Sequence, residues 1–267
     1  MDTLSHLLTS TLTLITLSLT THHHVTNHGR LPLAAPLIKA NNNIYALASL
    51  LFCITITCSF DILPFHLSSS LQQLSDYVRH HEDQMRYIYH LSKIWEYVDP
   101  LLMLANGGRV GWHFAVHHLT TPYLTYIRII LPTSNSNHHH EGWKLLATLN
   151  TLHHFFMYAY FGGMARFFRP VLPVTGCLQL VVGIVGEMVL ICRAVCSSMG
   201  DGDGGGGGTV WLGWPNAVSM LVLGVYFVLF VDEVRGGGAG AAEEKGLGED
   251  GVEEELRNQR NYMRWSW

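Results

Sequence analysis

Polar and apolar positions along the 267 residues do not alternate but segregate into long apolar runs separated by short polar stretches. Residues 44–60, 110–132, 143–164, 171–192 and 210–231 form five such runs, each near the about 20 mostly apolar residues that a membrane-spanning helix needs. The first and last of these contain no charged residue. Residues 4–21 form a sixth candidate, rich in Ser and Thr whose hydroxyls can bond back to their own helix. Residues 94–107 are apolar apart from Glu96 and Asp99 and by hydropathy could form a short amphipathic or half-buried helix; counting them gives seven spans. The pattern predicts an all-α, polytopic membrane protein.

Composition sharpens this picture. Charged residues make up 13% of the chain, against roughly a quarter in soluble domains. The 48% apolar content excludes a fully disordered chain, and a formal net charge of -4 argues against a nucleic-acid partner. Residues 1–231 read as one transmembrane domain, and the Gly- and Glu-rich residues 232–267 as a disordered, solvated tail. If the amino terminus is lumenal, the other side collects Arg30, Lys39, Arg109, Arg166, Arg169 and Arg235 together with the tail cations, which predicts a cytosolic carboxyl terminus. The glycine run 204–208 lacks the Gly-Lys-Ser/Thr of a phosphate loop and reads as a flexible connector. The triplets His22, His23, His24 and His138, His139, His140 are expected in exposed loops. The five cysteines form no C-x-x-C pair and are expected to be reduced packing residues.

Polar groups inside the apolar runs are costly there, and so mark candidate sites. Lys93, Glu96 and Asp99 are spaced three apart, which lets Lys93 neutralise Glu96. His113 and His117, four apart, share a helical face, with His118 about 100° round from His117. In the next run Asn150, His154, Met157 and Tyr158 follow helical spacing, so one face presents an amide, an imidazole and a phenol, with His153 and Tyr160 nearby. Thr175 and Gln179 lie four apart in the following run. Clustered imidazoles in a membrane suit either iron ligation or nucleophilic and base chemistry on an acyl group.

In order and spacing these clusters resemble the ELO family of fatty acid elongases. The stretch Leu-Ser-Lys-Ile-Trp-Glu-Tyr-Val-Asp, residues 91–99, is similar to that family's K-x-x-E-x-x-D box. Asn150, His154, Met157, Tyr158 and Tyr160 reproduce N-x-x-x-H-x-x-M-Y-x-Y, and Thr175 with Gln179 resembles a T-x-x-Q region one residue longer. The histidine box departs from the family: H-x-x-x-H-H stands here for H-x-x-H-H, Phe114 occupying the place of the first histidine, and Val182 replaces a second Gln.

The resemblance implies a bundle of about seven transmembrane helices around an acyl tunnel, in the endoplasmic reticulum membrane. It implies condensation of long-chain acyl-CoA with malonyl-CoA to 3-oxoacyl-CoA, CoA and carbon dioxide, without a cofactor or metal. It gives His117 the acyl group and sets His154 beside the reacting carbonyl, with His118, Asn150 and His113 around them. Lys93, Glu96, Asp99, Tyr158, Tyr160 and Gln179 are its substrate-binding set, and Arg109, Arg166 and Arg169 are expected to meet CoA phosphates. Candidate partners are the bilayer, other enzymes of the elongation cycle and a second copy of the chain.

Two alternatives fit the composition. A membrane di-iron desaturase or hydroxylase needs about eight histidine ligands in three boxes, whereas His80 with His81 and His153 with His154 lack the H-x-x-H spacing. An elongase-like lipid-binding protein that has lost condensation would also show a shifted box.

Overall fold

The computed structural model describes residues 3–58, 69–130, 142–200 and 210–243. The glycine run 204–208, the triplet His138, His139, His140 and the tail beyond 243 lie outside the described residues. No strand occurs among the described residues, so the all-α expectation holds. In chain order the helices are α1 (Thr3–His28), α2 (Ala34–Cys58), α3 (Ser69–His80), α4 (Glu82–Trp95), α5 (Val98–Ala105), α6 (Trp112–Thr125), α7 (Gly142–Phe161), α8 (Val171–Gly200) and α9 (Val210–Glu243).

Three of them are long and apolar enough to cross a membrane, over Ala34–Cys58, Val171–Arg193 and Pro215–Arg235. With 26 and 20 residues, α1 and α7 have the length, but hydroxyls and imidazoles lower their hydropathy. In α1 those hydroxyls turn inward as expected: Ser10, Thr13, Thr16 and Thr20 each donate to the carbonyl four residues back. Leu51, Leu221 and Val228 are 66%, 68% and 65% exposed. Large side chains bared along helices whose backbone is satisfied internally suit contact with lipid.

The structure sharpens four sequence expectations. Residues 94–107 hold a short helix: α4 closes at Trp95, and α5 has eight residues, about 12 Å of rise where the hydrocarbon core needs about 30 Å. His22, His23 and His24 lie in α1 rather than in a loop, because the helix continues to His28. Helix α9 runs past the last apolar run to Glu243, into residues expected to belong to the tail. Of the cysteines, all free, Cys53 is buried and donates to Thr148 O at 3.8 Å, whereas Cys192 and Cys196 are exposed rather than packed.

Within the bundle α2 lies against α7, α7 against α8, α8 against α9, α6 against α9, and α1 against α5. Small buried residues, Ala46, Ser49 and Cys53 of α2 and Ala147 and Ala159 of α7, allow the close approach of that first pair. A core of Leu124, Met157, Leu180, Leu223, Tyr226 and Phe230 joins α6, α7, α8 and α9. A Cβ on Gly176 of α8 would lie 2.6 Å from Phe230 Cζ and 3.3 Å from His153 Cε1. Gly176→Ala is therefore expected to destabilise the bundle by about 1–3 kcal/mol through overpacking, read as a lower Tm in detergent; an unchanged Tm contradicts the packing described.

Two ionic ties hold the far ends of helices. Pro122 cannot donate to the His118 carbonyl, and four residues on α6 widens into a π turn, Tyr126–Ile130. Within that turn Arg128 donates to Glu187 Oε1 of α8 at 3.0 Å and to Asn216 Oδ1 of α9 at 2.8 Å. At the start of α4, Glu82 takes Arg86 at 2.5 Å, Lys144 at 3.0 Å and the Trp143 indole N–H at 3.0 Å, tying α4 to α7.

Partial burial works against ionising the Glu82 carboxyl, but Lys144, the Trp143 N–H and Arg86 together hold it below the usual glutamate range. Its contribution is full above the unfolded glutamate value of about 4.3 and is lost as pH falls from there through the lower folded value. Glu82→Gln is expected to be less heat-stable than the native chain at pH 7, with the difference closing below about pH 4; a difference constant with pH contradicts this.

Candidate active site

The break between α4 and α5 builds the first half of the site. Glu96 N donates to Ser92 O, Tyr97 N to Ile94 O and Asp99 N to Glu96 O, so the chain tightens from four-residue to three-residue bonding while remaining helical. Residues three apart eclipse in such a turn. That stacks Lys93, Glu96 and Asp99, and Lys93 Nζ lies 2.6 Å from Glu96 Oε1, with the two side chains 2% and 1% exposed. The pairing read from their spacing is present, and it is fully buried.

Helix α7 supplies the second half from one face. Asn150 Oδ1 accepts from Lys93 Nζ at 2.6 Å and from Tyr89 OH at 3.0 Å, while Asn150 Nδ2 donates to Gln179 Oε1 of α8 at 3.2 Å. One turn on, His154 Nδ1 lies 3.3 Å from Glu96 Oε1. A further turn on, Tyr158 OH makes a very short hydrogen bond to Asp99 Oδ2. Asn150, His154 and Tyr158 thus engage Lys93, Glu96 and Asp99 in register.

Helix α6 brings the histidine box to the same place. His113, His117 and His118 line a cavity of ≈ 30 Å³ with His153, His154, Met157 and Tyr158 of α7, Gln179 of α8 and Phe230 of α9. Such a volume holds about two waters. The four-residue spacing keeps His113 on the His117 face, their rings 6.0 Å apart, and His118 borders the cavity from beside them, 5.4 Å from His117. His113 Nδ1 lies 3.0 Å from Glu233 Oε2, near the end of the apolar span of α9. His153 Nδ1 is 2.8 Å from Thr175 Oγ1, and the His117 ring packs edge-on to Tyr226 at 4.9 Å.

Some expected residues are not in this group. Tyr160 packs beside Phe161, their rings 5.1 Å apart, and does not border the cavity. Arg109, Arg166 and Arg169 are exposed, on the connections between α5 and α6 and between α7 and α8. Contacts at one end of the bundle, Leu31 N to Ala105 O at 2.9 Å, the close approach of Gly162 to Asn43 in the first half of α2, and His113 to Glu233, collect these connections with the end of the α9 span. Sequence reasoning missed Asn41 and Tyr45 of α2: Tyr45 OH donates to Glu96 Oε1 at 2.7 Å, and Asn41 Nδ2 to Asp99 Oδ1 at 2.8 Å. Their four-residue spacing at the head of an otherwise apolar span was the available clue. Tyr89, Tyr226 and Glu233 were missed too, and only Glu233, an acid just past the last apolar run, stood out in sequence.

Chemically, Glu96, His117 and His154 offer ligand atoms all within 4.8 Å of one another. That is a distance set a divalent metal accepts, but the Lys93 ammonium already lies 2.6 Å from the same Glu96 oxygen and supplies the positive charge there. What the arrangement provides without a metal is two imidazoles facing one small volume, one of them backed by a carboxylate. With His154 Nδ1 3.3 Å from Glu96 Oε1, a proton on Nδ1 faces the carboxylate and the other ring nitrogen is then the base.

A family model described as ELO: GNS1/SUR4 family matches residues 1–233. No curated protein and no solved structure matches the chain.

Proposed function

The chain belongs to the ELO (GNS1/SUR4) family of fatty acid elongases, and from that premise we propose that it condenses long-chain acyl-CoA with malonyl-CoA. The observation that carries this reading is the single cavity that gathers His113, His117, His118, His153 and His154 beside the buried Lys93, Glu96 and Asn150 network. As a multi-pass membrane protein it acts on substrates with a lipid tail and an aqueous head group. The reaction is proposed to run in the endoplasmic reticulum membrane, within a helical bundle around an acyl tunnel, with CoA and the carboxyl terminus on the cytosolic side.

The acyl carbonyl enters between His117 and His154. A neutral imidazole is a competent nucleophile near pH 7, and a closed apolar site shields an acyl-imidazole from water. His117 attacks the thioester carbon, CoA leaves, and the acyl group stays on the ring. His154, oriented by Glu96, serves as the base beside that carbonyl. Malonyl-CoA then loses carbon dioxide, and the carbanion takes the acyl group to give 3-oxoacyl-CoA.

The negative charge that develops on the malonyl thioester oxygen needs hydrogen-bond donors placed in advance. Asn150 carries two N–H donors and has one engaged by Gln179, so the other is available to that oxygen. Lys93 sets the orientation of Asn150 through its carbonyl oxygen.

Arg109, Arg166 and Arg169, exposed at one end of the bundle, are proposed to pair with CoA phosphates. Arg166→Glu with Arg169→Glu is expected to raise KM for acyl-CoA about tenfold or more while leaving kcat within a few-fold, since about 1.4 kcal/mol of lost phosphate pairing is a factor of ten. An unchanged KM removes the arginines from the site. The reading as a whole is tested by incubating the purified chain with acyl-CoA and labelled malonyl-CoA: labelled 3-oxoacyl-CoA supports it, and its absence with folded protein rejects it.

A further inference from the structure

Condensation as proposed above consumes one proton per turnover, and the structure contains a pair suited to deliver it. When His117 takes the acyl group, the C–S bond breaks with its electron pair going to sulfur, and the His117 ring gives up its N–H proton. Acyl-imidazole and CoA thiol result only if that proton reaches the thiolate. When the carbanion left by carbon dioxide takes the acyl group, the C–N electron pair returns to His117, which then needs one proton from water. The overall reaction balances with that single proton taken up.

We propose that Glu233 and His113 form the relay that carries protons between the aqueous end of the bundle and His117. His113 Nδ1–H donates to Glu233 Oε2 at 3.0 Å, which in the neutral ring makes Nε2 the lone-pair nitrogen. The His113 side chain is 9% exposed and borders the cavity, whereas that of Glu233 is 23% exposed, two residues before the end of the Pro215–Arg235 span. The pair therefore runs from a partly exposed carboxylate at the rim of the bundle to the buried site. The His113 and His117 rings are 6.0 Å apart, and the cavity both line has room for about two waters, enough to bridge them. Besides Glu233, the titratable groups that line that cavity with His113 are His117 and His118 on its own helix and His153, His154 and Tyr158 on α7.

The relay also gives a physical account of the shifted histidine box. The family spacing would set the first histidine at position 114, where this chain has a buried phenylalanine packed on His118, their rings 4.2 Å apart. One position earlier, the imidazole moves toward α9 and meets Glu233. Glu233 acts through His113 and is a positioning residue; it does not touch the acyl group.

The inference rests on the condensing reading, and the test separates the two. The full-length chain, Glu233→Gln and His113→Ala are purified in detergent and assayed with acyl-CoA and malonyl-CoA. Glu233→Gln keeps a side-chain carbonyl to accept Nδ1–H and so preserves the fold, but loses the charge that favours proton transfer. It is expected to lower kcat about tenfold or more with both KM values within twofold. His113→Ala is expected to lower kcat about 100-fold, and added imidazole is expected to restore part of that loss. Wild-type activity in Glu233→Gln, or a His113→Ala defect that imidazole does not relieve, overturns the relay while leaving condensation standing. A native chain that makes no 3-oxoacyl-CoA overturns both.

Discussion

His117→Ala is expected to abolish condensation and, with it, any acyl-protein formed from acyl-CoA alone. The ring lies where two imidazoles and a carboxylate oxygen come within 4.8 Å of one another, so its removal deletes the only group proposed to hold the acyl chain between the two half-reactions. His154→Ala removes the partner base instead, and its expected loss is about 10²–10⁴ in kcat. Because the two rings act as a unit, the double variant is expected to cost little more than His117→Ala alone. Turnover measured on all three variants checks this. Additive losses in log kcat, or full activity in His117→Ala, contradict the assignment.

Lys93→Met is expected to be the most destabilising single change in the site. Lys93 and Glu96 are both nearly fully buried, with Nζ 2.6 Å from Oε1 and 2.6 Å from Asn150 Oδ1. Without the ammonium, Glu96 is left as a buried carboxylate facing only Tyr45 and His154, and such a break costs about 3–5 kcal/mol. Replacing both partners by apolar side chains removes the uncompensated charge, so Lys93→Met with Glu96→Leu is expected to be more stable than Lys93→Met alone. Both variants are expected to be inactive, because Asn150 loses its orienting donor. Thermal unfolding of the two variants in the same detergent decides the point: a double variant less stable than Lys93→Met means that the pair is not held together by charge.

How far the sequence foretold this site depends on how local each contact is. Asn150, His154 and Tyr158 lie on successive turns of one helix, so their common face could be derived from spacing alone. The same holds for His113 and His117, where helical geometry placed His113 on the correct face while alignment to the family box pointed to Phe114 instead. Lys93, Glu96 and Asp99 suit a tighter turn than the α-helix, and the chain adopts one at Glu96. The limits appear where a contact joins helices far apart in sequence. Tyr45 meets Glu96 51 residues on, and His113 meets Glu233 120 residues on, and no periodicity within one segment encodes such pairings.

Hydropathy had a related limit. It located the runs of α2, α8 and α9 because their outward faces are uniformly apolar. It left residues 94–107 open between a span and a short helix, and there α5 has only eight residues. It also ended the last run at Val231, although α9 continues to Glu243, because a charge lowers hydropathy without ending a helix.

The most direct test of the central claim is to mix the purified chain with acyl-CoA in the absence of malonyl-CoA and to map any covalent acyl group by peptide mass. The account predicts stoichiometric release of CoA thiol, with the acyl mass on the peptide containing His117 and absent from His117→Ala. An acyl group on another residue, or condensation activity with no acyl-protein formed, would contradict it.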